Sequence, residues 1–404
     1  MKNPIEYLNA LAFVRMGGSA EERKAAEMIA EWLREMGYAP NIESFDIQSF
    51  KPGAGKLTPL NKRGTAIPIK PVGLSKDGNT SGEVAILDAP EPEWFDAKEL
   101  HGKIVFMPHY PWRKWLDLLV SGNAAAALTV LPNHREDDTI KMPQTVAKDF
   151  GEKIILATIA FNHAIALING GISSVEVETH CEKFASASQN VVAELPGRSE
   201  RIIVLTAHYD STPSSPGAQD NAAGTAELLE LAQRLTGQCL HRTLRFIFCG
   251  AEEMGLVGSE HHADTNKDAL DKVDAIINLD VGGDPFTVPF VRIIGTDETM
   301  HYIEGLLRQH GHAAKVSLET YSSDGMPFAK YGVPSISFGR GGIDGKGHSP
   351  FDRFENTCNE ALLDIANAAE TTAKAIADAK LLPFKRAISD ELRKRVEEYF
   401  IERR

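Results

Sequence analysis

The chain is predicted to be an α/β protein, with a mostly parallel or mixed sheet flanked by helices and a smaller β-rich domain inserted into it. Three observations carry that expectation. From about residue 188, apolar β-rich runs alternate with helical stretches; between about 46 and 185, short strand-like runs are broken by Pro and Gly; and residues 19–36 form a capped amphipathic helix that needs a core to cover it. With 404 residues, 43% of them hydrophobic, the chain is long enough for two domains with ordinary cores.

The helix comes first. "SAEERKAAEMIAEWLREM" opens with Ser19 three residues before Glu22, the spacing of a capping box, and closes at Gly37. Ala25, Ile29, Trp32, Leu33 and Met36 recur at helical spacing, so one face is apolar and docks on a core. The insert follows, with "KPGAGKLTPLNKRG" and "APEPEW" as turn-rich punctuation around "GEVAIL", "GKIVFM" and "AALTVL". Beyond it, "RIIVLTA" (201–207), "TLRFIFC" (243–249), "DAIINLDV" (274–281), "VRIIG" (291–295) and "VPSISFG" (333–339) read as buried strands, and 221–236, 298–310 and 357–380 as helices. Such alternation implies a largely parallel sheet covered by helices on both faces.

The expected domains are therefore 1–45 with 186–385 for the α/β unit and 46–185 for the insert. A C-terminal amphipathic helix, 386–404, sets Leu392, Val396, Tyr399 and Phe400 on one face. It is expected to dock on the chain's own α/β domain or on a partner subunit, so a homo-oligomer built through this helix or through the insert is a candidate partnership.

Charge and cysteine usage exclude several functions. A net charge of −13 and a pI near 5.5 argue against nucleic acid, whose phosphates draw on concentrated Lys and Arg. Cys181, Cys239, Cys249 and Cys358 lack CxxC spacing, so neither a disulfide framework nor a thiolate zinc site is expected, and the four are read as packing residues. The first residues contain no continuous apolar h-region, and no apolar run of about 18 residues occurs elsewhere, so no membrane partner and a cytoplasmic location are expected.

In open α/β sheets, ligands bind beyond the carboxyl ends of the strands. There the chain places His208 and Asp210 in "HYD", Glu252 and Glu253 in "AEE", Asp280 at the end of "AIINLD", and His348 in a Gly-rich loop beyond "PSISFG". Asp220, in "DNAAG", opens the helix after the first of these strands. Neighbouring carboxylates repel and resist burial unless a cation is present. Oxygen and imidazole donors without thiolates suit zinc, with cobalt or manganese as alternatives, and an excess of carboxylates suits two cations sharing one bridge. Asp220 is the candidate bridge. Asp210 is placed to accept the other ring N–H of His208. Of the glutamate pair, one side chain binds metal and its neighbour takes a proton from water. His261 and His262, in a polar helix, are expected at the surface, and Met254 and Cys249 in the core.

Taken in order, HYD (208–210), DNAAG (220–224), AEE (251–253), NLD (278–280), SDGMPF (323–328) and GHSPFD (347–352) resemble the signature series of the M28 family of dinuclear zinc peptidases, over roughly 188–380 plus the N-terminal helix. The resemblance implies the zinc exopeptidase fold and a peptide substrate. It puts His208, Asp220 and Asp280 on one zinc, Asp220, Glu253 and His348 on the other, and makes Glu252 the general base and then the acid. The leading activity is that of an aminopeptidase. A carboxypeptidase or dipeptidase of the same fold, a single-zinc enzyme like the glutaminyl cyclases, and a non-catalytic binding protein are the alternatives.

The insert is similar to the protease-associated domain found at this place in many relatives. Many of them read Ser-Asp-His where this chain has Ser323-Asp324-Gly325, a departure that spares the metal set and points to a different substrate pocket. Tyr321 is a candidate donor to the tetrahedral intermediate, against the alternative of a packed tyrosine. Arg340 is a candidate clamp for a substrate carboxylate, against pairing with a local acid. The M20 peptidases also carry HxD, EE and a late histidine, but they insert a lid domain for which the interval from Asp280 to His348 has no room.

Overall fold

In the computed structural model, which describes residues 2–62, 64–132, 135, 138–341 and 346–402, the chain opens with two helices, α1 (Pro4–Leu11) and α2 (Ala20–Glu35). Asn3 caps α1 reciprocally with Glu6, each side chain accepting the other's backbone N–H. Ser19 caps α2 by accepting the Glu22 N–H at 3.0 Å. Glu22 does not complete the box. Its carboxylate accepts the Gly18 N–H and turns inward, where it is fully buried.

After β1 (Asn41–Phe50) come the strands and helices of the insert: β2 (Ala54–Pro59), β3 (Ile67–Pro71), β4 (Gly78–Ile86), β5 (Ile104–Met107), α3 (Arg113–Ser121), β6 (Ala126–Leu131), α4 (Gln144–Phe150), β7 (Ile155–Ala160), α5 (Phe161–Asn169) and β8 (Ser174–His180). They close into a barrel in the order β2-β3-β7-β6-β5-β4-β8, in which β4, β5, β6 and β7 run parallel. Leu57, Ile104, Phe106, Leu128, Val175 and Val177 fill it.

The remaining elements are β9 (Lys183–Leu195), β10 (Ile202–His208), α6 (Ala223–Leu235), β11 (Thr243–Cys249), α7 (Val257–Thr265), β12 (Val273–Leu279), β13 (Val288–Ile294), α8 (Asp297–Gln309), β14 (Lys315–Leu318), α9 (Met326–Ala329), β15 (Ser335–Gly341), α10 (Asn359–Asp378) and α11 (Asp390–Glu402). An eight-stranded sheet runs β1-β9-β11-β10-β12-β15-β13-β14. The chain divides into two compact units, Met1–Asp46 with Ala187–Glu398, and Ile47–Ser186 with Tyr399–Arg404.

The centre of the sheet, β11-β10-β12-β15, is parallel. The flanks depart from the largely parallel expectation: β9 runs against β11, and β13 against β15. Both reversals lie where the connecting segment, after β9 or before β13, is too short for the crossover that a parallel return requires. On one face, Leu205, Phe246, Ile277 and Phe338 pack into a core with residues of α1, α2, α6 and α10; on the other, Val204, Ile247 and Ile276 pack with Phe328 of α9. Leu392 and Val396 of α11 are buried within the single chain, while Tyr399 and Phe400 are partly exposed; positions 403 and 404 of the expected helix lie outside the described residues. Among the described residues, no helix is long and apolar enough to cross a membrane.

Candidate metal centre

The parallel strands carry the site at their carboxyl ends, all within the first unit. His208 is the last residue of β10, Glu252 and Glu253 follow β11, Asp280 follows β12, and Asp220 sits in the turn that leads into α6. Asn221 ties these ends together: its amide donates to the Leu279 carbonyl and accepts the N–H groups of Gly224 and Val281. Ala251, Val281 and His348 each hold a positive φ (52°, 68° and 65°), a conformation that non-glycine residues keep only where surrounding contacts impose it.

Two triads that could each hold a metal ion form, His208 with Asp220 and Asp280, and Asp220 with Glu253 and His348, each with one donor atom per residue within 4.8 Å of the others. Asp220 belongs to both. Its Oδ1 lies 3.2 Å from His208 Nε2 and its Oδ2 lies 3.0 Å from His348 Nε2. His208 Nε2 is 3.4 Å from Asp280 Oδ1, and His348 Nε2 is 3.1 Å from Glu253 Oε1. His208, Asp280 and Glu253 are buried, whereas the His348 side chain is 47% exposed and lines the open side. Glu252 belongs to neither triad and brings Oε2 to 4.0 Å from His208 Nε2.

The electrostatics of this arrangement favour positive charge. Burial alone would lower the His208 imidazole, but Glu252, Asp210, Asp220 and Asp280 outweigh it and hold the ring well above its ordinary value. Glu253, against burial and with Asp220 adding, raises His348 likewise. Burial pushes Glu252 well up, with Glu253 among the carboxylates that add to the push. So many buried carboxylates around two imidazoles call for positive charge, and N/O donors in two three-residue sets with one shared carboxylate fit a pair of divalent cations.

A second layer holds the ligands. Asp210 accepts the N–H groups of Glu252 (3.0 Å) and Glu253 (3.1 Å), and its Oδ1 lies 3.4 Å from His208 Nδ1, so one carboxylate orients the imidazole and pins the glutamate turn. Sequence reasoning missed three members of this layer. Asp352 accepts the N–H groups of Gln219 and Asp220, and burial lifts its carboxyl to about 7. Glu22 reaches across to the Ala251 N–H and the Ser188 hydroxyl. Arg15, fully buried, donates to the carbonyls of Phe13, Tyr209, Pro216 and Gly217, which frame the turns on either side of Asp210 and Asp220. Asp352 stood in the GHSPFD motif and carried a signal; Arg15 carried none.

Tyr321 lies in the field of the site: burial raises its phenol far above the ordinary value, and Asp280, Asp220 and Glu252 add to the shift. Arg340 needs correction. It is buried, its Nη1 pairs with Asp364 at 2.7 Å, and Nε and Nη2 donate to the carbonyls of Asp284 and Thr287, so the local acid and the loop take up the guanidinium expected to hold a substrate carboxylate. His262 is likewise not a surface residue; it is buried, with Nδ1 2.8 Å from Glu43 Oε2. Cys239 is exposed rather than packed, whereas Cys249 and Met254 lie in the core. At Gly325 a Cβ would collide with Ser335 Oγ and press on Ser335 Cβ.

Residues 190–373 match the model of peptidase family M28. Aminopeptidase YwaD of Bacillus subtilis (strain 168) is 24% identical over a match covering 90% of this chain and 82% of its own. Among solved structures, an aminopeptidase from Aneurinibacillus sp. strain AM-1 aligns with a TM-score of 0.76 at 21% identity over 95% of each chain. BSAP, a zinc aminopeptidase from Bacillus subtilis, aligns with a TM-score of 0.76 at 22% identity over 96% of this chain and 98% of its own. These two likenesses speak for the fold. Both candidate triads lie within the stretch, residues 190–373, that matches the model of peptidase family M28.

Proposed function

We propose that the chain is an aminopeptidase that hydrolyses peptide bonds at a centre of two zinc ions, one held by His208, Asp220 and Asp280 and the other by Asp220, Glu253 and His348. The observation that carries this reading is the division of Asp220, one oxygen toward each histidine. The same donors also suit cobalt or manganese; zinc and the aminopeptidase activity are favoured because both stand in the name of BSAP.

When bound, the ions supply Lewis acidity to the scissile carbonyl and lower the pKa of water. Glu252, outside both triads, takes the proton of the attacking water on its carboxylate and delivers it to the nitrogen of the leaving amine. Asp210, facing His208 Nδ1 at 3.4 Å, favours the ring orientation that turns Nε2 into the site. The Tyr321 hydroxyl donates to the oxygen on which negative charge develops.

Around this core, the barrel is read as a protease-associated domain on its position and strand–helix rhythm, and the free cysteines favour a reducing compartment, the cytoplasm. The experiment is hydrolysis by the zinc-supplemented protein of a peptide with a free amino terminus beside its acetylated form. Cleavage of the free peptide alone, abolished by a chelator and restored by zinc, is expected. Equal cleavage of both, or activity untouched by chelation, overturns the reading.

A further inference from the structure

Side chains of β13 alternate between the faces of the sheet. Val291 and Ile293 enter the same core as Leu205, Ala207, Ile277 and Leu279, so Phe290 and Arg292 belong to the opposite face, the one that His208 and Asp280 share by the same alternation. Leu279 pairs with Phe338 and Gly339 pairs with Phe290, which brings Phe290 level with Asp280 two strands away. Gly339 permits the approach, because a Cβ there would collide with the Asp280 carbonyl oxygen and press on the Phe290 ring.

The Arg292 guanidinium carbon lies 4.4 Å from the Phe290 ring centroid and 4.5 Å from that of Tyr321, and the two rings meet edge to face at 5.8 Å. Two aromatic faces therefore stiffen the side chain beside the tyrosine of the site. Its ion-pair partner among the described residues is Glu319, 3.3 Å from Nε, and the side chain is still 34% exposed. Among the described residues neither Nη donates a hydrogen bond. A planar, preorganised fork of this kind matches a carboxylate. Two interstrand spacings place it about 10 Å from the strand of Asp280, or two to three residues of extended peptide at ~3.4 Å each.

We propose that Arg292 binds a carboxylate of the substrate two to three residues from the scissile bond, so that the site selects short peptides ending there or carrying an acidic side chain there. The inference rests on the peptidase reading above. Arg340, the other arginine considered for a substrate carboxylate, is already committed to Asp364.

The test compares kcat/KM for Leu-Gly-Gly, its carboxy-terminal amide, and the amide of Leu-Gly-Asp, for the unaltered protein and for Arg292→Met and Arg292→Lys. The expected result is a preference of about tenfold or more for a carboxylate-bearing peptide over the plain amide, with the free acid or the Asp peptide naming the source of the carboxylate. Arg292→Met should bring the ratio toward one, and Arg292→Lys should restore part of it. Because the ratio is taken within one preparation, a partly unfolded variant does not distort it. No preference in the unaltered protein, or the same preference in Arg292→Met, overturns the inference. If none of the three peptides is cleaved, the peptidase reading fails instead. Calorimetric binding of free acid against amide to zinc-loaded Glu252→Gln and to Glu252→Gln with Arg292→Met then still decides on Arg292, by whether tighter binding of the acid disappears with the arginine.

Discussion

Glu22 Oε1 accepts the Ala251 N–H at 3.0 Å, a hydrogen bond that joins the second helix to the turn from which Glu252 and Glu253 project. The same carboxyl takes the Ser188 hydroxyl and the Gly18 N–H. Position of the Glu252–Glu253 turn thus depends on a residue far away in the chain.

Glu22 makes stability pH-dependent. Burial, then the nearby Asp210 charge, raises its carboxyl to about 8. A folded-state value above the unfolded one contributes stability that is full below about 4.5 and is lost as pH rises through about 8. Glu22→Gln, which cannot ionise, should therefore gain in melting temperature over the unaltered protein between pH 6 and 9. A constant difference across that window contradicts the assignment. Glu22→Ala leaves three donors without their acceptor and should be less stable by about 1–3 kcal/mol or more at any pH.

The glutamate neighbours should separate by variant. Glu253→Gln should bind metal more weakly, because an amide is a poorer zinc ligand than a carboxylate. Glu252→Gln should keep its metal and lose about two to four orders of magnitude in turnover. Zinc content and turnover of both proteins check this, and the opposite pattern reverses the roles.

Gly325 tolerates no side chain. A Cβ would strike Ser335 Oγ, and Ser323, two residues before it, is held by the Asn278 amide in a chain that begins at Thr206. Gly325→Ala should lose about 1–3 kcal/mol in urea denaturation, the usual scale for overpacking. An unchanged midpoint contradicts the packing described.

Deleting the chain from Asp390 onward removes Leu392 and Val396, both buried. Each such side chain contributes about 1.5–3 kcal/mol when fully buried, so the melting temperature should fall by several degrees. An unchanged melting curve would mark α11 as a solvated tail.

Much of this was legible because the chemistry sits where local patterns end. Apolar runs terminate in His208, Asp280 and the glutamate pair, and strand ends in a parallel sheet point to one crevice. Glu22 was hidden by an equally good local explanation: three residues after Ser19 it fits a capping box, and only its partners at Gly18, Ser188 and Ala251 decide otherwise. Arg340 and Arg292 look alike in sequence, on neighbouring antiparallel strands; the acceptors Asp284, Thr287 and Asp364 around the first, and the rings around the second, are tertiary facts. His262 lies in a helix that reads as polar, and its burial depends on Glu43 of β1. The directions of β9 and β13 depended on connection length, which apolar runs alone do not reveal.

The bridging role of Asp220 is tested most directly by zinc stoichiometry, measured by elemental analysis after equilibration with zinc and removal of the excess. The unaltered protein should approach two zinc per chain. Asp220→Asn, which weakens both triads at once, should fall below one, whereas Asp280→Asn, which touches one triad, should keep about one. Saturation of the unaltered protein at one zinc per chain with full activity, or an Asp220→Asn protein that retains two, would contradict the shared-carboxylate centre.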